Sequence, residues 1–381
     1  MVKHERVAAI VGVAESDLGI VPNKSVLQLQ AKAAKLALDD AGFAKDDVDA
    51  IFTAGNWSWA PNMMLAEYLG IQPKYTDGTN IGGSSFESHV AHAAAGIRAG
   101  LFDVALITYG STQRSNPYRP QETAVRLTDQ FERPFGLPTP VGAYALAAMR
   151  HMHQYGTTSE QLAEVAVAAR SWAAMNQKAM KREPISIQDV LDSRWICEPL
   201  HLLDCCLVTD GGGAVVVASA KAAENAKKPP VWILGHGETH THNTITNMPD
   251  LTITGAQESG QQAFRMAGIT HDDLDVVEIY DSFTITVLLS LEALGFCKPG
   301  ESGEFVSGGR TAPGGDFPMN TNGGGLSYCH PGMYGIFLLI EAARQLRGEC
   351  GERQLQDAKL ALVHGTGGVL SSSSTVILGR D

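Results

Sequence analysis

The chain has 381 residues, of which 44% are hydrophobic and 18% charged, and its formal net charge is −12. This length allows two domains or one duplicated domain, and the composition is ordinary for a packed core. The acidic balance argues against a broad nucleic-acid-binding face, which needs clustered Lys and Arg. No apolar run is long enough to cross a membrane or to serve as a signal peptide. Because the six cysteines form no CxxC pair, we expect a reduced cytoplasmic protein.

A pattern of residues occurs twice along the chain. The stretch AGFAKDDVDAIF at 41–52 resembles AGITHDDLDVVE at 267–278, and each copy lies between a helical pattern and a β-rich segment. Upstream of the two copies, AAIVGVAESD and VWILGHGETH both read as a buried strand that runs into a turn. Short apolar strands that alternate with helices indicate α/β layers. We therefore predict two similar α/β halves, residues 1–225 and residues 226–381.

The first half contains a segment that breaks this pattern, at about 112–206. It reads as helical, it carries Met, Arg and Lys side chains, and Thr158 or Ser159 is a candidate N-cap of one of its helices. We predict that this segment is a helical insertion. The half then closes with TDGGGAVVVAS, which reads as a strand bounded by glycines.

Four motifs resemble those of the thiolase superfamily and occur in the same order. They are LLDCCLVTDGGGAVVVAS at 202–219, VVEIYDSF at 276–283, NGGGLSYCHPGMYG at 322–335 and HGTGG at 364–368. The Asp in YDSF is closer to the sterol-carrier-protein type, whereas CHPG has Cys329 where the family usually has Gly. The resemblance implies the thiolase fold, an α/β fold whose duplicated βαβαβαββ halves form a five-layer αβαβα arrangement with a helical loop-domain insertion.

The resemblance places the acyl-accepting cysteine of thiolases on a glycine. Aligned on NIGG, this position is Gly83, Ser84 follows it, and the nearest cysteine in the sequence is Cys197. A serine could replace the thiol only with strong general-base activation, and Ser84 also reads as a helix N-cap. We therefore expect no covalent nucleophile, with Gly83 and Ser84 lying against the substrate.

Two histidines fall on other catalytic motifs. His330 in CHPG corresponds to the family histidine that polarises the thioester carbonyl or stabilises its enolate, which requires an N–H donor aimed at the oxyanion. His364 in HGTGG takes the position of the second thiolase cysteine. An imidazole there could move protons, and a hydrogen-bonded structural histidine is the alternative.

Tyrosines occur where thiolases use other side chains. Tyr280 takes the position of the Asn or His that helps to hold the oxyanion, and Tyr328 and Tyr334 lie near His330 in the sequence. A phenol can donate a hydrogen bond or, with a lowered pKa, act as a base; simple packing is the alternative for each. We predict acid and base roles for Tyr280 and Tyr328 without dividing them, substrate contact for Tyr334, and a catalytic or orienting role for Asp281.

Three further residues are predicted to bind the substrate. Gly367 lies in the HGTGG motif, where a glycine lets the backbone approach a ligand closely. Arg170 and Lys178 lie in the insertion, which helps to cover CoA in thiolases, so their charges could meet its phosphates. A solvated helix face is the alternative for both cations.

Histidines also occur in two groups outside these motifs. His89 and His92 are three residues apart on one predicted helix, and His236, His240 and His242 lie close together in GHGETHTHN. No third ligand with metal spacing accompanies the first pair, so we interpret it as helix packing. The second group reads as a turn at the rim of the site. We expect no metal site.

Without a nucleophilic cysteine, an oxyanion site and acid–base groups remain, and this set suits aldol chemistry. We predict retro-aldol cleavage of a β-hydroxyacyl-CoA thioester, with a steroid side-chain-type substrate, to a ketone or aldehyde and a shorter acyl-CoA. The resemblance points to the steroid side-chain-cleaving aldolases, which are thiolase-like proteins of this kind. The alternatives are a thiolase or acyltransferase acting on a β-ketoacyl-CoA, and a non-catalytic subunit that binds acyl-CoA or lipid.

The resemblance also implies partners. Such aldolases occur with a small zinc-ribbon and OB-fold protein, often fused to a hydratase, and thiolases form homodimers. We expect no cofactor apart from the CoA of the acyl-CoA substrate, and no contact with nucleic acid or a membrane.

Overall fold

A computed structural model describes residues 6–55, 57–117 and 126–381. The strands are β1 (Ala8–Glu15), β2 (Ala50–Thr53), β3 (Tyr75–Asp77), β4 (Val104–Ser111), β5 (Trp195–Cys197), β6 (Leu200–His201), β7 (Gly211–Ser219), β8 (Val231–His240), β9 (Val276–Ile279), β10 (Leu360–Gly367) and β11 (Ser372–Gly379). The helices are α1 (Val26–Ala41), α2 (Pro61–Leu69), α3 (Ser85–Arg98), α4 (Leu127–Phe131), α5 (Val141–Tyr155), α6 (Ser159–Ala174), α7 (Ile187–Leu191), α8 (Ala220–Ala223), α9 (Ala256–Ala267), α10 (Thr284–Leu294), α11 (Ser302–Val306) and α12 (Gly335–Arg347).

Within the described residues, nine strands form one sheet in the order β3-β2-β4-β7-β1-β8-β11-β10-β9. Outward from β1 the neighbouring strands pair antiparallel, antiparallel, parallel and parallel. Outward from β8 the same directions repeat, and a single parallel bridge between Val277 and Met319 takes the place of the last strand. The sheet therefore consists of two copies of one topology, joined where β1 pairs with β8.

Helices cover both copies of the sheet and also fill the space between them. Helix α1 packs on the outer face of the first copy, and α9 and α10 pack on the outer face of the second. Helices α3 and α12 lie between the copies, where Phe86 and Phe337 share one buried cluster with Ile107 and Val363. This is the five-layer αβαβα arrangement, so the predicted fold class is confirmed.

The segment between β4 and β7 carries α4 to α7 and the two-stranded sheet of β5 and β6. Its helices α5 and α6 pack against α10, and α6 also contacts the turn at Gly324–Tyr328. The pairing of β1 with β8 places both copies in one sheet, and the boundary between residues 1–225 and 226–381 stays a prediction. Among the described residues, no helix combines the length and the apolar character needed to cross a bilayer.

Local sequence signals explain where α3 and α12, the two helices of the middle layer, begin and end. The single helical turn at Gly82–Ser84 leads directly into α3, and Gly82 has a positive φ of 81°, which favours glycine. Helix α12 begins at Gly335 and ends at Arg347, and the next residue, Gly348, adopts the left-handed conformation that closes many helices. Both helices thus start at the same end of the sheet, next to the loops that follow β9 and β10.

Candidate active site

Three of the four motif segments meet at Tyr280, the first residue after β9. Its main-chain N–H donates to the carbonyl of His364 on β10, at 2.9 Å. Its side chain is buried and lies between the Gly82–Ser84 turn and the loop that carries His330. The fold therefore places the predicted phenol at the centre of the site.

The ring of Tyr280 occupies the space beside Gly83. A Cβ atom placed on Gly83 would lie 2.2 Å from Cε2 and 2.6 Å from Cζ of Tyr280, and 2.6 Å from the carbonyl oxygen of Thr366. Real Cβ atoms essentially never come within 3.0 Å of another heavy atom. Any side chain at position 83, cysteine included, is thus incompatible with Tyr280 in this position.

The hydroxyl of Tyr280 has two partners. The main-chain N–H of Tyr334 donates to the phenol oxygen at 3.0 Å, and the oxygen lies 2.8 Å from Nε2 of His330. In the imidazole tautomer that carries its proton on Nδ1, the phenol donates its proton to Nε2. Tyr280 and His330 therefore form a hydrogen-bonded pair in which a proton can pass from one to the other.

Burial keeps both members of this pair neutral near pH 7. Burial raises the pKa of Tyr280 well above its usual value, because the phenolate would lose its hydration. Burial lowers the pKa of His330 to about 4, so its imidazole is neutral near pH 7, and the tautomer with the proton on Nδ1 has its lone pair on Nε2. A neutral imidazole that accepts from a phenol is poised to take up a proton when the phenol receives one from a bound hydroxyl.

Asp281 holds the loop that carries His330. Its Oδ1 accepts from the N–H of Gly325 at 2.6 Å, and its Oδ2 accepts from the N–H of Leu326 at 3.2 Å. A Cβ on Gly324 would lie 1.9 Å from Oδ2, so the turn wraps around the carboxyl only because glycine is present. Burial, partly opposed by these N–H donors, raises the pKa of Asp281 to about 7. The geometry fits an orienting role for Asp281, which was one of its two predicted roles.

The hydroxyl groups of Tyr334 and Tyr328 hydrogen-bond to residues other than Tyr280 and His330. The Tyr334 ring meets Tyr280 edge-on and lies nearly parallel to His330, and its hydroxyl donates to Oδ1 of Asn322 at 2.7 Å. The Tyr328 hydroxyl donates to Oε1 of Glu15 at 2.9 Å. The acid–base role of Tyr328 stays a prediction that this geometry does not favour. Of these three tyrosines, Tyr280 is the one whose phenol oxygen contacts His330.

His364 faces away from this pair. Its neighbour Gly365 faces the middle layer, since a Cβ there would meet Glu87, and side chains alternate along a strand. Nδ1 of His364 lies 2.9 Å from the hydroxyl of Thr375, which also bonds Ser259 on the outer helix α9. The predicted proton shuttle at His364 does not fit this position, because the strand places its imidazole on the opposite face of the sheet.

Ser84 and Gly367 have structural contacts. The Ser84 hydroxyl is fully buried and lies 2.7 Å from the hydroxyl of Ser372, and the expectation that Ser84 is no nucleophile stays a prediction. A Cβ on Gly367 would lie 1.9 Å from the carbonyl oxygen of Ile81. Close approach of β10 to the Gly82–Ser84 turn therefore explains the glycine at 367, and contact of Ser84 or Gly367 with substrate stays a prediction.

The two predicted CoA ligands are engaged elsewhere. Nε of Arg170 donates to the hydroxyl of Ser327 at 2.8 Å, and its Nη1 donates to the carbonyl of Glu183, in a buried setting. Nζ of Lys178 lies 3.0 Å from Oε2 of Glu15, although its side chain is more than half exposed. The position of Arg170 does not favour phosphate binding, because its guanidinium already ties α6 to the turn before His330.

His89 and His92, the two histidines on α3, also have identified partners. Nδ1 of His92 lies 2.8 Å from Asp77, and this bond raises the pKa of His92 to about 9. Nε2 of His89 faces the carbonyl of Thr79 at 3.0 Å. Within the described ranges, no group of three or more His, Cys, Asp or Glu side chains has the geometry of a metal site. The expectation of no metal stays a prediction.

Two site residues were missed by the sequence analysis. The Tyr109 hydroxyl donates to the carbonyl of Pro331 at 2.7 Å and accepts from the N–H of Met333 at 3.1 Å, so it fixes the loop after His330. Glu87 is fully buried beneath Gly83. Tyr109 reads as a strand residue with no motif around it, whereas Glu87 was visible as a carboxylate in an alanine-rich helix.

Comparisons with known proteins agree with this architecture. The family model "Thiolase C-terminal domain-like" matches residues 237–380. A protein of Thermomonospora curvata named steroid side-chain-cleaving aldolase is 36% identical, with 98% of each chain covered. A Mycobacterium tuberculosis protein named 17-hydroxy-3-oxo-4-pregnene-20-carboxyl-CoA lyase is 37% identical, with 90% of this chain and 92% of that protein covered.

A solved structure gives the same result in three dimensions. The structure named "Ltp2-ChsH2(DUF35) aldolase" superposes with a TM-score of 0.91 at 34% identity and covers 98% of both chains. Both the matched family model and these full-length similarities confirm the resemblance read from the four motifs. The chain therefore belongs to the thiolase superfamily.

Proposed function

We propose that the protein is a carbon–carbon lyase that cleaves a β-hydroxyacyl-CoA thioester by a retro-aldol reaction. The observation that carries this proposal is the exclusion between Gly83 and the ring of Tyr280. A phenol hydrogen-bonded to an imidazole lies where thiolases hold a nucleophilic thiol. Position 83 has no side chain that could carry an acyl group, whereas the phenol and the imidazole are close enough to transfer a proton.

The reaction balances with these two groups alone. The β-hydroxyl of the substrate gives its proton to the Tyr280 oxygen while the phenol proton moves to Nε2 of His330. The bond between Cα and Cβ breaks, its electron pair forms the thioester enolate, and the ketone or aldehyde leaves. His330 then transfers its proton to the enolate carbon, which restores the neutral imidazole. No oxidant, metal or free CoA is consumed.

The main-chain N–H of Tyr334 supports this proton transfer. It donates to the Tyr280 oxygen, where negative charge develops while the proton moves. The imidazolium formed at His330 faces the enolate oxygen as a charged donor, which is the role predicted for this residue. Tyr280 is therefore proposed as the base, and His330 as the group that holds the oxyanion and returns the proton.

The substrate is proposed from the relatives together with the space beside the site. Two full-length relatives carry names that refer to a steroid side chain or a pregnene carboxyl-CoA. A cavity of about 390 Å³ lies next to the His330 loop and is lined in part by Trp57, Tyr109 and Met333. This volume falls in the range of about 300–1,000 Å³ that holds drug-sized ligands. We propose that the acyl part of a steroid-type substrate occupies it.

The similarity to the solved aldolase structure also supports a proposal about partners, and we add one about location. The name of the solved aldolase structure includes a DUF35 protein beside the aldolase chain. We propose a small partner of this type, with a zinc ribbon and an OB-fold, which alone or as a hydratase fusion completes the CoA path. We also propose a homodimer in the cytoplasm and no cofactor other than the CoA of the substrate.

Product analysis by mass spectrometry tests the proposed reaction. The protein, with and without a DUF35-type partner, is mixed with a branched β-hydroxyacyl-CoA in the presence and absence of free CoA. We expect a ketone and a shorter acyl-CoA without added CoA. Cleavage that occurs only for a β-ketoacyl-CoA, and only with free CoA, would instead identify a thiolase and contradict the proposal.

A further inference from the structure

Glu87 is a buried carboxyl that the proposed reaction does not use. It lies on α3, one helical turn after Gly83, and its side chain is fully buried. Neither carboxyl oxygen has a hydrogen-bond partner in another described residue. An isolated buried carboxylate is strongly disfavoured, so a group in this position is expected to hold its proton.

Two glycines make the space for this carboxyl. A Cβ on Gly365 would lie 2.3 Å from Oε2 of Glu87, and a Cβ on Gly335 would lie 2.4 Å from the same atom. Each glycine adjoins a residue that holds Tyr280: the Tyr334 N–H donates to the phenol oxygen, and the His364 carbonyl accepts from the Tyr280 N–H. The Glu87 carboxyl thus fills the junction of the segments that fix Tyr280.

The charged and titratable groups on the elements around Glu87 have other partners. They include Glu341 with Arg353, Arg344 with Glu15, Arg347 with Asp40, Tyr334 with Asn322, Tyr109 with Pro331, His364 with Thr375, His89 with Thr79, and His92 with Asp77 and Glu238. Burial accordingly raises the pKa of Glu87 to about 8, opposed only by its own main-chain N–H.

One acceptor close to this carboxyl is the carbonyl of Gly83. Its oxygen also lies 2.4 Å from the position that a Cβ of Gly335 would take, so the carbonyl and the carboxyl are neighbours. A protonated carboxyl has one O–H to donate. We infer that Glu87 is a positioning residue that stays protonated and donates its carboxyl O–H to the Gly83 carbonyl, which holds Gly83 against the Tyr280 ring.

The inference has a consequence for the site. Loss of the proton would replace a donor by a negative charge that faces a carbonyl oxygen, and this repulsion would separate Gly83 from Tyr280. The kinetic part of the inference rests on the proposed lyase function. The protonation of Glu87 itself can be measured without any turnover.

Thermal unfolding as a function of pH tests the protonation in Glu87→Gln. Glutamine keeps the size and an N–H donor but cannot ionise. The unfolded chain loses the Glu87 proton near 4.5 and the folded chain near 8, so wild type loses stability across this interval. We expect the melting temperature of Glu87→Gln to rise relative to wild type from about pH 4.5 to about pH 8 and then to stay constant. A difference that does not change with pH would overturn the inference.

Glu292→Gln is the matched control, because Glu292 is buried but has partners. Its Oε1 lies 3.1 Å from His151 Nε2 and accepts from Ser302, and the pKa of Glu292 is lowered. We expect this variant to melt lower than wild type throughout the same range. Infrared spectra give a second readout: we expect the protonated-carboxyl absorption at pH 7 to be weaker in Glu87→Gln than in wild type, while the absorption of other protonated carboxyls such as Asp281 remains. Equal absorption in the two proteins would count against Glu87 as a source.

Kinetics separate a positioning residue from a proton donor. We expect Glu87→Gln to keep kcat within about twofold at pH 7 and to extend activity to higher pH, whereas loss of a catalytic proton donor costs about 100-fold or more. A large loss at pH 7 with an unchanged melting temperature would overturn the positioning role. If wild type shows no turnover, the lyase proposal fails, while the thermal and infrared results still decide whether Glu87 is protonated.

Discussion

A Cβ atom at position 83 and the ring of Tyr280 exclude one another, so the chemistry of the site is set by one pair of residues. The sequence showed that Gly83 stands where thiolases have cysteine. Only the structure shows that the phenol of Tyr280 fills the vacated space and reaches His330. Two substitutions test this pair from its two sides.

The first concerns the hydroxyl of Tyr280. Tyr280→Phe keeps the ring beside Gly83 but removes the oxygen that contacts Nε2 of His330, so we expect kcat for β-hydroxyacyl-CoA cleavage to fall by about 10²–10⁴. Tyr334→Phe is the control, since its hydroxyl contacts Asn322 rather than His330. Steady-state kinetics of both variants check the prediction, which an equal loss in the two would contradict.

The second concerns the space at Gly83. Gly83→Ala places a Cβ 2.2 Å from the Tyr280 ring, so we expect a melting temperature several degrees lower and loss of lyase activity. Gly78→Ala is the control, because a Cβ there meets nothing closer than 3.8 Å. Gly83→Cys should show no thiolase activity while Tyr280 is present. A stable, acetylated Gly83→Cys protein would refute the steric argument.

At the scale of elements, a buried cluster around Glu15 joins four parts of the chain. Glu15, the last residue of β1, accepts from Arg344 on α12, from Lys178 and from the Tyr328 hydroxyl. Burial opposes ionisation of Glu15, but the Arg344 guanidinium outweighs it and holds the pKa of that carboxyl well below its usual range. The cluster therefore fixes α12 and the segment before His330 to the sheet.

Glu15→Gln tests this role. Removing one partner of a buried pair leaves the Arg344 charge uncompensated, so we expect a loss of about 3 kcal/mol in the free energy of unfolding near pH 7. The stability that the ionised Glu15 contributes is present above its unfolded pKa of about 4.5, so the difference from wild type should shrink on acidification.

Asp17→Asn is the control for that variant. Asp17 pairs with Lys24 and Lys32 in a partly exposed position, so its loss should cost less than about 1 kcal/mol. Urea unfolding monitored by circular dichroism measures both changes. Equal, small effects of the two substitutions would show that the Glu15 cluster does not hold these elements together.

At the scale of the whole molecule, buried groups with opposite pKa shifts set the dependence of stability on pH. The pKa values of Glu87 and Asp281 are raised to about 8 and about 7, so the folded chain keeps protons that the unfolded chain releases as pH rises. Burial lowers the pKa of His89 and His330 to about 4 and that of His364 to about 3, so the unfolded chain takes up extra protons below about 6.5.

Between about pH 4.5 and 6.5 the three histidines outweigh the two carboxyls, and above about pH 6.5 only the carboxyls of this set still act. We therefore expect the melting temperature to rise gently from about pH 4.5 to 6.5, and to fall above and below this range. Differential scanning fluorimetry in buffers from about pH 4 to 9 checks this. A melting temperature that rises steadily through pH 8 would contradict it.

The sequence by itself determined the family, the layered fold and the absence of a nucleophilic cysteine at Gly83. These features were readable because thiolase motifs are contiguous stretches, and because strands and helices of this length have local periodic patterns. It also identified Tyr280 and His330, since both lie within such motifs. The distance of 2.8 Å between the Tyr280 hydroxyl oxygen and Nε2 of His330, however, depends on how β9 and the His330 loop approach each other.

Only the tertiary structure decided which candidate residues meet. In the structure, His364 lies on the outer face of the sheet, and the Tyr328 hydroxyl donates to Glu15. Arg170 is buried and bonds Ser327, and the Glu87 carboxyl lies next to the Gly83 carbonyl. Each of these outcomes depends on close contacts between residues far apart in the chain. Sequence patterns specify which face of an element is apolar, but the distance between two side chains on different elements is set by the packing of all the layers together.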